Sequence, residues 1–232
     1  MPSATKAVLE ELLRSRRLQA DAPPLRGEDR RLRPLPTGIP EVDRLLGGGF
    51  PRGRMTEIQG PASSGRTGLA LGLLARTTRG GALAAWVDPA DRLDPASAAA
   101  GVELARLLWL RGEPRDRHAL SDALAATGTL LGSGLFEAVV LDLAGIPEAD
   151  RRRLPGATWI RLQRMVEAAP AVLVLLARAH TAPGSLALAL EPKGPRWSGS
   201  PGPGRLLRGL GAQALAGRHV PHRAAFELRA FS

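Results

Sequence analysis

Eight residues, GPASSGRT at positions 60–67, constrain this chain more than any other stretch. Glycines at the first and sixth places and a hydroxyl at the eighth follow the spacing G-x-x-x-x-G-K-[ST]. In that arrangement successive backbone N–H groups and a helix N-terminus bind phosphate oxygens. A lysine reaches the outer phosphates, and the last hydroxyl holds Mg2+. Such a loop lies between a strand and a helix. MTEIQ at 55–59 reads as the strand. TGLALGLLARTTRG, from Thr67, reads as the helix, with Leu69, Leu73 and Leu74 on one apolar stripe. Arg66 is the departure. A guanidinium is broad and planar where an ammonium is compact, so Arg66 keeps the charge but changes the fit. The residues expected to meet a nucleotide are Gly60, Pro61, Ser63, Ser64, Gly65, Arg66 and Thr67, with Asp142 at the end of a later strand. Two outcomes stay open: ATP or ADP with Mg2+ held weakly and hydrolysed poorly, or no nucleotide, the loop only turning strand into helix.

The remaining pattern supplies the sheet such a loop needs. TGIPEVDRLLGGG reads as a short helix with a glycine stop. GALAAWVD, LARLLWLR, FEAVVLDL and AVLVLLA read as apolar strands, separated by helices near Ala96–Ala100, in DRHALSDALAATGTLLG, and near Trp159–Glu167. DRRRLPG reads as a basic loop. After His180 the chain is rich in Gly and Pro, and LALALE, AQALAG and AAFELRAF follow without helical spacers. The fold expected is α/β: a mostly parallel central sheet flanked by helices, with antiparallel strands at its C-terminal edge. Residues 1–20 read as an amphipathic helix with Leu9, Leu12 and Leu13 on one face, 21–36 as a Pro-containing linker, and 37–232 as the core domain.

Composition narrows the partners. Net charge is +10, and all but Lys6 and Lys193 of the 32 basic residues are arginines. From Arg178 to Arg223 seven basic residues face one acid, Glu191, which points to a basic surface for a polyanion. Arg151, Arg152 and Arg153 form one candidate DNA contact. Lys193, Arg196, Arg205 and Arg208 around Trp197 form another, cations beside a stacking platform. A solvated basic face is the plain alternative. With no cysteine and four scattered histidines, neither disulfides nor a metal cluster are expected. No run has the roughly 18 to 20 apolar residues of a membrane span, and no leader segment is visible, so the expectation is a cytoplasmic protein without a membrane partner.

TGIPEVDRLLGGGFPRGRMTEIQGPASSGRTGLAL resembles the opening of the core of bacterial RecA recombinases, as do WVDPADRLDP and VVLDL, which ends at Asp142. The likeness covers residues 4–180 in arrangement and is most specific over 37–95. It implies a catalytic glutamate two residues after Asp88, where this chain has Ala90, and a phosphate-sensing glutamine near Ala177 or Arg178. With Arg66, three catalytic positions are altered together, which implies a pseudo-ATPase. The segment PRWSG at 195–199, and a chain stopping at Ser232 without a further domain, resemble the ImuA family, related to RecA and to the division inhibitor SulA. That likeness implies an accessory role in SOS-induced mutagenesis and translesion synthesis. Its implied partners are RecA, ImuB, an error-prone replicative-type polymerase and single-stranded DNA. The two loops after the central strands, about 143–157 and 179–209, would face DNA. Leu9, Leu12 and Leu13 would face RecA, ImuB or a second copy, or else pack on their own core. Two alternatives remain: an active DNA-dependent ATPase of recombinational repair, and a SulA-like division inhibitor.

Overall fold

The computed structural model describes residues 9, 11, 33–113, 116–198, 205–216 and 222–229. Its strands are β1 (Met55–Gln59), β2 (Leu83–Asp88), β3 (Leu107–Arg111), β4 (Phe136–Asp142), β5 (Val172–Ala177), β6 (Leu186–Ser198), β7 (Leu206–Ala216) and β8 (His222–Arg229). They form one sheet in the order β3-β2-β4-β5-β1-β6-β7-β8. Neighbours from β3 to β6 are parallel, and β6-β7-β8 are antiparallel. The parallel interior and antiparallel C-terminal edge are those expected from the apolar runs.

The helices include α1 (Pro40–Leu45), α2 (Arg66–Arg79), α3 (Pro95–Ala99), α4 (Ala119–Ser133), α5 (Glu148–Arg152) and α6 (Gly156–Ala168), with a 3-10 turn at Leu104–Arg106. Successive strand residues point to opposite faces, and the core divides accordingly. Ile58, Ala84, Trp86, Val140, Val174 and Leu176 pack with Leu69 and Leu73 of α2 on one face. Met55, Ala85, Val139, Leu141, Leu173 and Leu175 pack with Leu130 of α4 and Leu162 of α6 on the other. Strands buried on both faces must be apolar at every position, which is why they read as unbroken runs.

The turn before β1 explains a second sequence pattern. The Asp43 carboxylate accepts from the Thr37 N–H at 2.7 Å, the Thr37 hydroxyl at 2.8 Å and the Gly38 N–H at 3.2 Å. Leu35 and Phe50 bridge across this turn, with N–H to carbonyl distances of 2.8 Å in both directions. A Cβ on Gly49 would lie 2.3 Å from the Leu35 carbonyl oxygen, so only glycine fits there. Leu35, read as linker, is thus part of the core, 6% exposed.

Two expectations change. DRRRLPG contains a helix, α5, not simply a loop. The region 179–209, expected as a loop, is mostly the β6-β7 hairpin. Leu9 is helical and 4% exposed within the α4/α6 core, so it packs on its own chain rather than facing a partner. Leu12 and Leu13 lie outside the described residues. Among the described residues, no helix is long and apolar enough to cross a membrane.

Candidate nucleotide site and basic hairpin

Between β1 and α2 the chain turns sharply enough to need three left-handed residues: Gly60 (φ 156°), Ser63 (φ 58°) and Gly65 (φ 92°). Backbone packing bars a side chain at Gly60, and at Gly65 the positive φ does so. A Cβ on Gly60 would lie 2.6 Å from the Leu190 carbonyl oxygen, and one on Gly65 2.5 Å from a Leu228 methyl. Ser63 has no such excuse, and a non-glycine residue held there costs on the order of 1–3 kcal/mol, a strain typical of ligand loops. Ser64 is buried, yet its Oγ has no hydrogen-bond partner. Thr67, in the first turn of α2, is exposed.

Arg66 does not extend outward. Its Nη1 donates to the Pro61 carbonyl at 2.6 Å, folding the side chain back on its own loop, and its buried Nε has no partner. Burial lowers the pKa of its guanidinium; Asp142 opposes that shift, while Arg178 and Arg92 add to it. Asp142, at the end of β4, is buried and accepts from the Ala144 N–H at 2.9 Å. Burial raises its pKa to about 6, with Asp88 adding to the shift and the Ala144 bond, Arg66 and Arg92 opposing it. Arg92 was not singled out in the sequence; its charge emerges only once the β2 loop folds towards β4.

The positions at which the resemblance implies catalytic residues hold Ala90 and Arg178. Ala90 sits against the loop after Asp142, where a Cβ on Gly145 would lie 2.5 Å from the Ala90 methyl. Asp91 turns away to Arg111, making two hydrogen bonds of 2.8 Å with it. Asp88 is buried, its Oδ2 accepting from the N–H groups of Arg92 and Leu93 at 2.8 Å, its Oδ1 unpartnered. Arg178, immediately after β5, donates through Nε to the Ala144 carbonyl at 3.2 Å. Three arginines therefore surround two buried carboxylates beside the loop. That arrangement suits a polyphosphate.

A wall rises beside the loop. β6 pairs with β1 only through Leu186–Ala189, opposite Thr56–Gln59. From Leu190 to Ser198 it runs on past the end of β1 with β7 as its partner. The overhanging hairpin and the loop enclose a cleft of about 350 Å³, lined by Ser63, Ser64, Arg66, Pro195, Leu207 and Leu210 among others.

The basic candidates separate into two places. Arg151 is only 6% exposed and donates to the Thr181 hydroxyl at 2.5 Å; it is a brace between α5 and the β5-β6 connection, and its burial removes it from a DNA surface. Arg152, the last residue of α5, and Arg153, just after it, are exposed but pair with Glu148 at 2.5 Å and Asp150 at 3.4 Å. On the hairpin, Arg205 lies 5.4 Å over the Trp197 ring. Arg196 and Arg208 are exposed, and Lys193 is 3.5 Å from Glu191. Trp197, Leu206 and Leu207 are respectively 47, 62 and 49% exposed beside these cations.

Sequence reasoning missed Glu57, fully buried in the middle of β1. Only residues 178–185 connect β5 to β6, although β1 lies between them. Parallel connections usually take a dozen residues or more, so this one crosses β1 directly. Glu57 holds it, accepting from the Thr181 N–H at 2.7 Å, the Ala182 N–H at 3.4 Å and the Ser185 hydroxyl at 3.3 Å, with His180 Nδ1 at 2.7 Å.

The model of the RecA N-terminal domain matches residues 25–162. RecA of Symbiobacterium thermophilum is 41% identical over 133 residues, 56% of this chain and 37% of that protein. RecA of Thermus aquaticus is 36% identical over 154 residues, 64% of this chain and 44% of that protein. The matched part thus spans less than half the length of these relatives. The crystal structure of the RadB recombinase superposes with a TM-score of 0.60 over 83% of this chain and 95% of that one, at 20% identity, a likeness of fold.

Proposed function

We propose, for a chain that belongs to the RecA N-terminal domain family, a role as a non-hydrolysing accessory protein in DNA repair. The observation that carries this reading is the Arg66 guanidinium bonded to the Pro61 carbonyl at 2.6 Å. The cation that would reach outward to a phosphate instead closes the loop, and Ala90 offers no base behind it. The loop still fits phosphate: the buried Ser64 Oγ is unpartnered and the glycine cradle leaves no room for a Cβ. Thr67 and Asp142 are the residues that would hold Mg2+. A bound nucleotide would act here as a structural ligand whose occupancy the three arginines favour.

The finer role proposed is the ImuA-type one. The protein would link RecA on single-stranded DNA to ImuB and an error-prone polymerase during SOS mutagenesis. The exposed hairpin, with Arg196, Arg205 and Arg208 around Trp197, is the surface proposed to meet DNA. Stacking of one base on an aromatic contributes roughly 1–3 kcal/mol, so Trp197→Ala should weaken binding to a labelled oligonucleotide by about 5- to 150-fold. Unchanged anisotropy titrations would remove the hairpin from this role.

A second reading, an active RecA-type ATPase, is favoured by Thr67 and Asp142 keeping their places. ATP turnover with and without single-stranded DNA separates the two. Loss of a general base costs about 10²- to 10⁴-fold, so wild type is expected to stay at least about 100-fold below a RecA assayed beside it, and Arg66→Lys alone will not restore turnover. DNA-stimulated hydrolysis by wild type would overturn the accessory reading. Loss of nucleotide binding and repair function together in Arg66→Ala would support the second.

A further inference from the structure

The sheet ends at β8, which pairs with β7 alone among the described strands. The Leu228 carbonyl oxygen lies 2.4 Å from where a Cβ on Gly209 of β7 would stand, so it faces β7. In an antiparallel ladder successive residues turn their N–H and C=O groups to alternate sides. Ala224, Phe226 and Leu228 therefore bond towards β7, while Arg223, Ala225, Glu227 and Arg229 turn their backbone outward. Among the described residues, none bonds to that outer row. Proline, lysine and bulges commonly blunt an edge. Residues 222–229 hold neither proline nor lysine, and their register with β7 runs without a shift.

A cleft of about 740 Å³ opens on the same edge. Glu227, Leu228 and Arg229 all line it, although side chains of successive strand residues alternate between faces. The cleft therefore wraps the edge itself. Across from β8 stand Arg76 and Arg79 of α2 and Glu41 of α1. Gly72, in the middle of α2, also lines it, and a Cβ there would meet nothing closer than 3.6 Å. The chain's own packing does not require that glycine; close approach by another backbone is a use for it. Four arginines, Arg76, Arg79, Arg223 and Arg229, border the edge with two acids, Glu41 and Glu227. None of the six is ion-paired with a described residue.

We infer that β8 accepts an extended, acidic segment of a partner protein as a ninth strand. Pairing with the outer row supplies affinity, and side-chain contacts on the two faces supply specificity. On the cleft side the added strand carries apolar residues, against the half-buried Ile39 and Leu228. On the other face it carries acids opposite Arg223 and Arg229, since opposite charges stabilise a cross-strand pair and like charges weaken it. Charge also disfavours other occupants. A second copy would bring a net charge of +10 and the same arginines to the edge. Residues 12–32 of this chain hold six arginines against three acids, and Pro23 and Pro24 have no N–H to donate. The phosphates of a nucleic acid would meet Glu41 and Glu227 and could not continue the backbone ladder.

Fluorescence anisotropy of the full chain with a labelled nonapeptide, alternating valine with glutamate or threonine, tests this. The peptide is expected to bind, and its lysine counterpart to bind more weakly. N-methylation of one alternate set of its amides should weaken binding at least about 10-fold, the worth of a few lost hydrogen bonds, while methylation of the other set leaves it unchanged. Ala225→Pro, which removes an outward N–H and spares the bonds to β7, should weaken it similarly. Arg223→Glu combined with Arg229→Glu, both at exposed positions, should reverse the preference towards the lysine peptide. Hydrogen exchange then locates the contact: the peptide should slow the amides of Arg223, Ala225, Glu227 and Arg229. Slow exchange of those amides in the free chain would mean that the chain itself or a second copy covers the edge, and would overturn the inference. Absence of binding, indifference to both methylation sets, or a single-stranded oligonucleotide protecting the same amides would overturn it equally.

Discussion

Replacing Glu57 by alanine should destabilise the protein by about 3–5 kcal/mol, the combined cost of two buried N–H groups left unsatisfied and the cavity opened beside them. The size follows from where Glu57 stands. It pairs in register with Leu175 on one side and Ala187 on the other, so β1 lies beneath the connection joining those two strands. Residues 178–185 cross without a helix to satisfy their own backbone. Glu57 Oε1 and Oε2 take up the Thr181 and Ala182 N–H groups, and truncation strands both in the core while opening a cavity. Glu57→Gln retains the volume and one good acceptor and should cost only about 1–2 kcal/mol. Urea midpoints by circular dichroism give both values, and hydrogen exchange at Thr181 locates the damage. A cost below about 1 kcal/mol for Glu57→Ala, the worth of one ordinary hydrogen bond, would show that the crossing holds itself.

The contrast between Glu57 and the loop it precedes shows what a sequence exposes. β1 was legible to the residue at both ends, because Met55–Gln59 leads straight into a glycine pattern whose spacing is local. Strands β2, β4 and β5 were legible for the same kind of reason: burial on both faces leaves an uninterrupted apolar run. Glu57 left no such trace, since its partners in the connection it holds lie 123 to 128 residues away and a lone acid in a strand reads as solvent-facing. Arg151, Arg152 and Arg153 failed differently. Three consecutive arginines look alike in a string, but a helix turns about 100° per residue, so α5 sends Arg151 into the protein and Arg152 into solvent, while Arg153 is exposed just past the helix end. The altered ATPase positions were visible as residue types. That Arg66 closes on Pro61, and that Arg92 and Arg178 join it around Asp142, required the strand order.

Asp142→Asn should make the protein more stable at pH 8, by about 3 kcal/mol. The sign comes from the direction of the shift. The folded state raises the carboxyl from the ordinary 3.8 to about 6, so folding favours the protonated form. That contribution is fully present below pH 3.8 and lost as pH rises towards 6; above 6 the chain folds with a buried ionised carboxylate at its full cost. Asparagine keeps an oxygen to accept from the Ala144 N–H and carries no charge to desolvate. Its new N–H groups face a site where Asp88 Oδ1 lacks a partner. Urea melts of both proteins should therefore diverge at pH 8, converge steadily as pH falls from 6 to 4, and coincide near pH 3.5. Equal midpoints at pH 8 would mean that Arg66 and Arg92 fully neutralise the carboxylate. A costly ionised group at the end of β4 makes sense if a cation is to be held there. Mg2+ with ADP should then stabilise the wild type at pH 8 and leave Asp142→Asn nearly unmoved, which ties the stability penalty to the ligand and separates a site kept for binding from one that is only inherited.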